Sequence, residues 1–325
     1  MLRSLLLYLS ERDSPKKLLT RYALGRRLAA RFIAGEELED ALGAIRRLNA
    51  EGFTVTLDCL GESVHEAAQA AAACEAYLQL LDRLAAEGLN SHVSVKLTQL
   101  GLAIDEALAR RHLTLLAERA ARHRNFVRVD MEGSAFTEAS LRVFRAVDAP
   151  RDVMGIALQS YLHRTEADVG ALLKCGVRIR LVKGAYQEPP DISFPRKRDV
   201  DRNFQNLTEK LLASGVYHAI ATHDERIIAA TERFAREQGI PPDRFEFQLL
   251  YGIRRQLQRE LLKQGWRVRI YVPYGREWYP YFMRRRRAAR QPVLPDAQSR
   301  PGLTASSEFS RKGSSFSDAR RRALP

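Results

Sequence analysis

From Phe53 onward the chain repeats one pattern eight times, a short β-branched or apolar run followed by an Ala/Leu/Arg-rich stretch with helical spacing. The runs are FTVTL (53–57), HVSVKLT (92–98), FVRVDM (126–131), VMGIALQ (153–159), VRIRLVK (177–183), HAIATH (218–223), FEFQLL (245–250) and RVRIYV (267–272). Segments between them, such as 63–88 and 224–239, carry apolar residues on one helical face and end at glycine, the usual C-terminal stop. A strand that always hands to a helix builds a parallel sheet, because each return crossing needs the helix. Eight such units without a Gly-rich dinucleotide fingerprint or an interrupting domain predict a (βα)8 barrel of the TIM type. An open doubly wound sheet is the alternative. Residues 1–50 are helical in pattern, with Gly25, Gly35 and Gly43 expected to break them into short helices. The domain division that follows is an N-terminal helical segment 1–50, a barrel with its last helix over 51–287, and a tail over 288–325.

In a (βα)8 barrel, chemistry sits where strands end. The polar residues there are Lys96 on the second run, Asp130 and Glu132 on the third, Gln159 on the fourth, Arg180 and Lys183 on the fifth, His223 on the sixth and Tyr271 on the eighth. Each alone reads as a structural hydrogen-bonding group. As a ring of cations around two carboxylates they outline a basin for an anionic ligand. The stretch 267–287 adds to this, since a strand passes through Pro-Tyr-Gly into an aromatic helical segment that ends in Arg284 to Arg287. Guanidinium forks match a carboxylate in geometry as well as charge. The plain alternative for the run is a solvated face.

Composition removes other classes. The chain has 325 residues, 45% hydrophobic and 28% charged, which is ordinary for a globular protein. Its net charge of +14 resembles a nucleic-acid signal, yet +8 of it lies in residues 284–325, and that tail has no aromatics beyond Phe309 and Phe316. No nucleic-acid partner is expected. Cys59, Cys74 and Cys175 show no CxxC spacing, and a metal-dependent hydrolase would want a His-x-His where Leu57 is followed by Asp58, Cys59 and Leu60. No metal site is predicted. The N-terminal MLRSLLLYLSERD is too short in its apolar run for a signal sequence, and no window reaches the ~18 apolar residues of a membrane span. The expectation is a cytoplasmic protein.

VSVKLTQLG (93–101), RVDMEGS (128–134), ALQSYLHR (157–164), RIRLVKGAYQEP (178–189), FPRKRDVDRNFQNL (194–207), ATHD (221–224), FEFQLLYG (245–252) and RIYVPYGREWYPYFMRR (269–285) together resemble the flavin-dependent proline dehydrogenases. The resemblance runs from about residue 1 to 285. It favours the bacterial single-function type, since no aldehyde dehydrogenase domain follows. It implies a distorted barrel with a C-terminal helix over its mouth. It also implies oxidation of L-proline to Δ1-pyrroline-5-carboxylate, with hydride passing from proline C5 to N5 of FAD and electrons passing to a quinone, as the first step of proline catabolism. By the same resemblance Arg284 and Arg285 grip the proline carboxylate, with Lys96 as a third cation and Asp130 as its acidic neighbour. Tyr186, Leu250, Tyr271 and Tyr281 wall the proline ring. On the flavin side, Arg180 reaches N5 and Gln159 the pyrimidine edge, while Val182, Gly184, Gln187, Thr222 and His223 follow the isoalloxazine, ribose and diphosphate. Some relatives carry an aromatic where Gln187 stands. No general base is assigned, because nearby cations disfavour the substrate's ammonium form.

The chain departs from the family after the arginine run. Ala288 stands where a glutamate is expected, and residues 291–325 are dominated by Pro, Ser, Gly and Arg. Such a segment reads as a disordered, solvated tail. The alternative is a basic tether that brings the protein to anionic lipid on the inner face of the cell membrane, near its quinone. A third reading is a barrel whose changed terminus has cost it activity.

Overall fold

The computed structural model describes residues 31–61, 64–150, 152–279 and 281. All of them fall in the first of two compact units, Met1–Ala288; the second, Ala289–Pro325, lies outside the described residues. The expected helices of 1–30, the arginines Arg284 to Arg287 and the tail also lie outside them.

After helix α1 (Leu38–Ala50) come β1 (Thr54–Cys59), α2 (Ala67–Ala86), β2 (Ser91–Lys96), α3 (Glu106–Arg122), β3 (Val127–Asp130), α4 (Ser134–Ala146), β4 (Met154–Gln159) and α5 (Thr165–Lys174). The second half has β5 (Arg178–Val182), α6 (Lys197–Ala213), β6 (His218–Ala221), α7 (Glu225–Glu237), β7 (Phe245–Leu250), α8 (Arg255–Lys263) and β8 (Val268–Tyr274). The strands form a closed barrel in sequence order, every neighbouring pair parallel, with β8 closing on β1. Gly43 does not break its helix but lies inside α1, where a single glycine costs only about 1 kcal/mol against alanine.

Strand side chains alternate between two faces. Val55, Leu57, Val93, Val95, Val129, Ile156, Leu181, Ile220, Phe247 and Ile270 are fully buried and belong to the same core as helix residues such as Tyr77, Leu80, Leu113, Leu141 and Phe204. Burying each such side chain contributes roughly 1.5–3 kcal/mol. The other face fills the lumen, and it is polar. Towards the strands' N-terminal ends, Arg269 Nε donates to both oxygens of Glu246 (2.8 and 3.0 Å), and Tyr217 Oη donates to Glu246 Oε2 (2.9 Å). Arg128 donates to the Arg178 carbonyl (2.6 Å) with its guanidinium 4.7 Å from the Phe126 ring centre. Gly155 makes room for this: a Cβ there would lie 2.3 Å from the Arg178 carbonyl oxygen and 2.5 Å from the Arg128 guanidinium.

Candidate active site

The register places the expected site residues side by side at the strands' C-terminal ends. Lys96 pairs with Asp130 across β2 and β3, Gln159 with Val182 across β4 and β5, and Leu250 with Tyr271 across β7 and β8. Hydrogen bonds then cross the lumen. Arg180 Nη1 on β5 donates to Asp130 Oδ1 on β3, and Arg180 Nη2 donates to Ser94 Oγ on β2 (2.9 Å). Tyr271 Oη on β8 donates to the other Asp130 oxygen (2.8 Å), and its ring lies 5.3 Å from the Arg180 guanidinium. Burial, with Asp130 and Asp58 nearby, raises the Tyr271 phenol well above its ordinary pKa, so it remains a donor.

Lys96 is 6% exposed, and its ammonium donates to both oxygens of Asp58 (2.9 Å each). Asp130 Oδ2 is 3.9 Å away. Asp58, wholly buried at the end of β1, is the residue that the sequence reading missed. The signal was present, since Asp58 follows Thr54 and Thr56 at the two-residue spacing of the inward face. Each cation of this network faces a carboxylate, so the described part of the mouth is close to charge-balanced.

The remaining predicted residues surround this centre. Gln159 is buried and its Nε2 donates to the Glu132 carbonyl (2.9 Å), while the Glu132 carboxylate accepts from Thr98 N–H (3.1 Å) and Thr98 Oγ1 (2.6 Å). Thr222 is buried, and its Oγ1 accepts the Asp224 N–H (3.1 Å). His223 Nε2 accepts the Leu250 N–H (3.0 Å), which locks the ends of β6 and β7 together. Tyr186 is half-buried beside Gly133, Val182 is half-buried and Gln187 is exposed. Tyr281 packs on a small cluster of Ile33, Leu60, Trp278 and Tyr279. Lys183, expected in the anion basin, instead donates to Asp201 (2.6 Å) and Asp224 (2.8 Å), tying the end of β5 to α6 and to the start of α7. Burial opposes ionisation of Asp224, but Lys183 and Lys197 prevail and hold its pKa at about 2.

A flavin fits the donors present. Arg180 Nε, in the middle of β5, and Ser160 Oγ, just past the end of β4, are buried without a hydrogen-bond partner. Gly184 has φ +119°, and a Cβ there would lie 2.2 Å from Tyr161 Cδ1, so the backbone passes where no side chain could. Among the described residues no group of three or more His, Cys, Asp or Glu could hold a metal ion, and no helix is long and apolar enough to cross a membrane.

The family model for proline dehydrogenase matches residues 41–287, the whole barrel. Proline dehydrogenase 2 of Bacillus subtilis (strain 168) is 41% identical over 284 residues, covering 87% of this chain and 93% of that one. Proline dehydrogenase 1 of the same organism is 43% identical over 291 residues, covering 88% and 94%. Among solved structures, proline utilization A (PutA) from Bdellovibrio bacteriovorus, inactivated by N-propargylglycine, superposes with a TM-score of 0.75 at 25% identity over 80% of this chain. The match spans about a third of that longer chain, 32%. A barrel matched from its first helix past its last strand, with relatives aligned over nearly their full length, makes this chain a member of the proline dehydrogenase family.

Proposed function

We propose that the chain oxidises L-proline to Δ1-pyrroline-5-carboxylate with FAD as its cofactor and a quinone as its electron acceptor. Proline oxidation, the first step of proline catabolism, follows from family membership. The observation that carries the finer reading is the network that spans the lumen, in which Lys96, Asp130, Arg180 and Tyr271 from four strands meet at the mouth. When bound, the flavin supplies the acceptor for the hydride of proline C5. Arg180, Gln159, Val182, Gly184, Gln187, Thr222 and His223 would hold it, and the Arg180 charge beside the ring favours its electron-rich reduced form.

The substrate's carboxylate is its strongest anchor, so Lys96 with Arg284 and Arg285 sets where C5 lies. Tyr186, Leu250, Tyr271 and Tyr281 shape an apolar wall around the ring and exclude water. Lysine at position 284 or 285 keeps the charge but loses the bidentate fork, and is expected to cost about 2–3 kcal/mol in kcat/KM for proline.

Purified protein should be yellow, release FAD rather than FMN on denaturation, and bleach when L-proline is added without oxygen. A water-soluble quinone should restore the colour. Protein that takes up no flavin, or whose flavin proline leaves oxidised, would overturn the reading. For the basic tail, the solvated reading is favoured over a membrane tether, because residues 291–325 carry no amphipathic periodicity. Salt-sensitive sedimentation with anionic liposomes, seen for the full chain and lost on ending it after Gln291, would reverse that preference.

A further inference from the structure

Asp58 lies outside the set of residues that the family resemblance assigns, yet it holds the most completely buried carboxylate at the barrel mouth. Both of its oxygens accept from Lys96 at 2.9 Å. The second carboxylate near that ammonium, Asp130, is 3.9 Å away and already accepts from Arg180 and from Tyr271. Among the described residues the ammonium thus has one close acid and one that is shared. We propose that Asp58 is the positioning residue of the proline carboxylate site. It holds Lys96 against β1, and so keeps Lys96 from collapsing onto Asp130 and disturbing the Arg180 and Tyr271 bonds. The proposal rests on the reading of Lys96 as a cation for the substrate carboxylate.

The arrangement around Asp58 supports a role in placement. In the strand register Asp58 faces Ser94 on one side and Pro273 on the other, so Lys96 reaches it diagonally across the β1–β2 pair. Ser94 Oγ is itself fixed, by Thr56 Oγ1 (2.9 Å) and by Arg180 Nη2 (2.9 Å). Tyr77 Oη, wholly buried, contacts the Cys59 backbone and donates to the Ser94 carbonyl (2.9 Å), which stiffens the two strand ends that carry Asp58 and Lys96. A lysine on a flexible four-carbon stem gains a defined position only from such a partner. Removing the partner alone leaves a buried cation to find another acid, whereas removing both members leaves nothing unpaired.

The test is a double-mutant cycle on flavin-loaded enzyme, with Lys96→Met, Asp58→Asn and the double variant compared in steady-state proline kinetics. Lys96→Met and Asp58→Asn should each raise KM by about tenfold or more and lower kcat by less than that, as expected for a charge-assisted contact to the substrate. The double variant should match Lys96→Met alone, because Asp58 acts only through Lys96. An unchanged KM in Lys96→Met rejects the reading of Lys96 and the proposal with it. A raised KM in Lys96→Met beside an unchanged KM in Asp58→Asn overturns the proposal alone, and so do effects that multiply in the double variant. If Asp58→Asn cannot be isolated with flavin, the double variant against Lys96→Met decides: equal KM supports the coupling and a further rise overturns it.

Discussion

The Arg180 guanidinium on β5 donates to the Asp130 carboxylate on β3, passing over the strand between them, so the pair braces the barrel mouth across its lumen. Tyr271 completes the brace from β8 by donating to the second Asp130 oxygen at 2.8 Å. Asp130 thereby sets how much of the Arg180 charge is left for a neighbouring electron-rich group.

Substitutions at these two positions should move the bound flavin in opposite directions. Asp130→Asn removes the balancing charge and should raise the midpoint potential, while Arg180→Met should lower it. For a two-electron couple, each 1.4 kcal/mol of altered charge stabilisation is about 30 mV, so shifts of roughly that size are expected. Redox titration of the purified variants measures both. Equal shifts of the same sign would remove the pair from control of the potential.

The Glu246–Arg269 pair near the opposite pole should be structural. Both residues are buried, and burial is the largest influence on the Glu246 carboxyl and raises it, but Arg269 together with the hydrogen bonds from Gln248 and Tyr217 brings it below its ordinary pKa, so the pair stays ionised. Taking away one partner leaves a buried charge uncompensated, so Glu246→Ala or Arg269→Ala should cost about 3–5 kcal/mol in urea unfolding. Replacing both, as Glu246→Met with Arg269→Leu, should cost much less than the two single changes together. Strict additivity would show that the two charges do not compensate each other.

The barrel was legible because its periodicities are local: each strand run and each helix face lies within a few residues, and the observed strands begin and end within two residues of the predicted runs. The candidate site residues were legible by position, as polar groups on the strands near their C-terminal ends. Their pairing was not. Lys96 meets a carboxylate 38 residues earlier, a contact that needs β1 paired with β2, and Tyr271 meets one 141 residues earlier, a contact that needs the barrel closed. Lys183 shows the same limit in reverse, since its place at a strand end suggested the basin while its parity, one residue past Val182, turns it towards Asp201 and Asp224. Resemblance to a family named roles for single residues, but gave none to Asp58, which no motif reading singled out.

Gly184 should not tolerate a side chain. Its φ of +119° is strained for any L-residue, and the Cβ would strike the Tyr161 ring, which is held in place because Tyr161 N–H donates to the Lys183 carbonyl (2.9 Å). Gly184→Ala should therefore cost about 1–3 kcal/mol and reduce flavin content as purified. The ratio of visible to ultraviolet absorbance reports the flavin, and a normal ratio would separate Gly184 from its proposed contact.

His218 should account for part of the protein's acid sensitivity. It is wholly buried at the start of β6, where Nδ1 accepts the Ile179 N–H at 3.0 Å. The ring proton therefore sits on Nε2 and faces Ser214 Oγ at 3.0 Å. Burial, helped by the Arg128 and Arg178 charges, lowers its pKa from 6.5 to about 3. The unfolded chain takes up a proton near 6.5 and the folded chain does not until about 3, so the stabilisation is complete above 6.5 and is lost as pH falls through that window. The loss can reach about 1.4 kcal/mol per pH unit. In His218→Asn the amide oxygen can still accept the Ile179 N–H but cannot titrate. That variant should be less stable near neutrality, and its unfolding free energy should fall less steeply between pH 6.5 and 4. His92, whose pKa burial also lowers, is present in both proteins, so its contribution cancels from the difference. Urea midpoints of parent and variant over this range measure the two slopes, and parallel curves would mean that His218 carries none of the acid sensitivity.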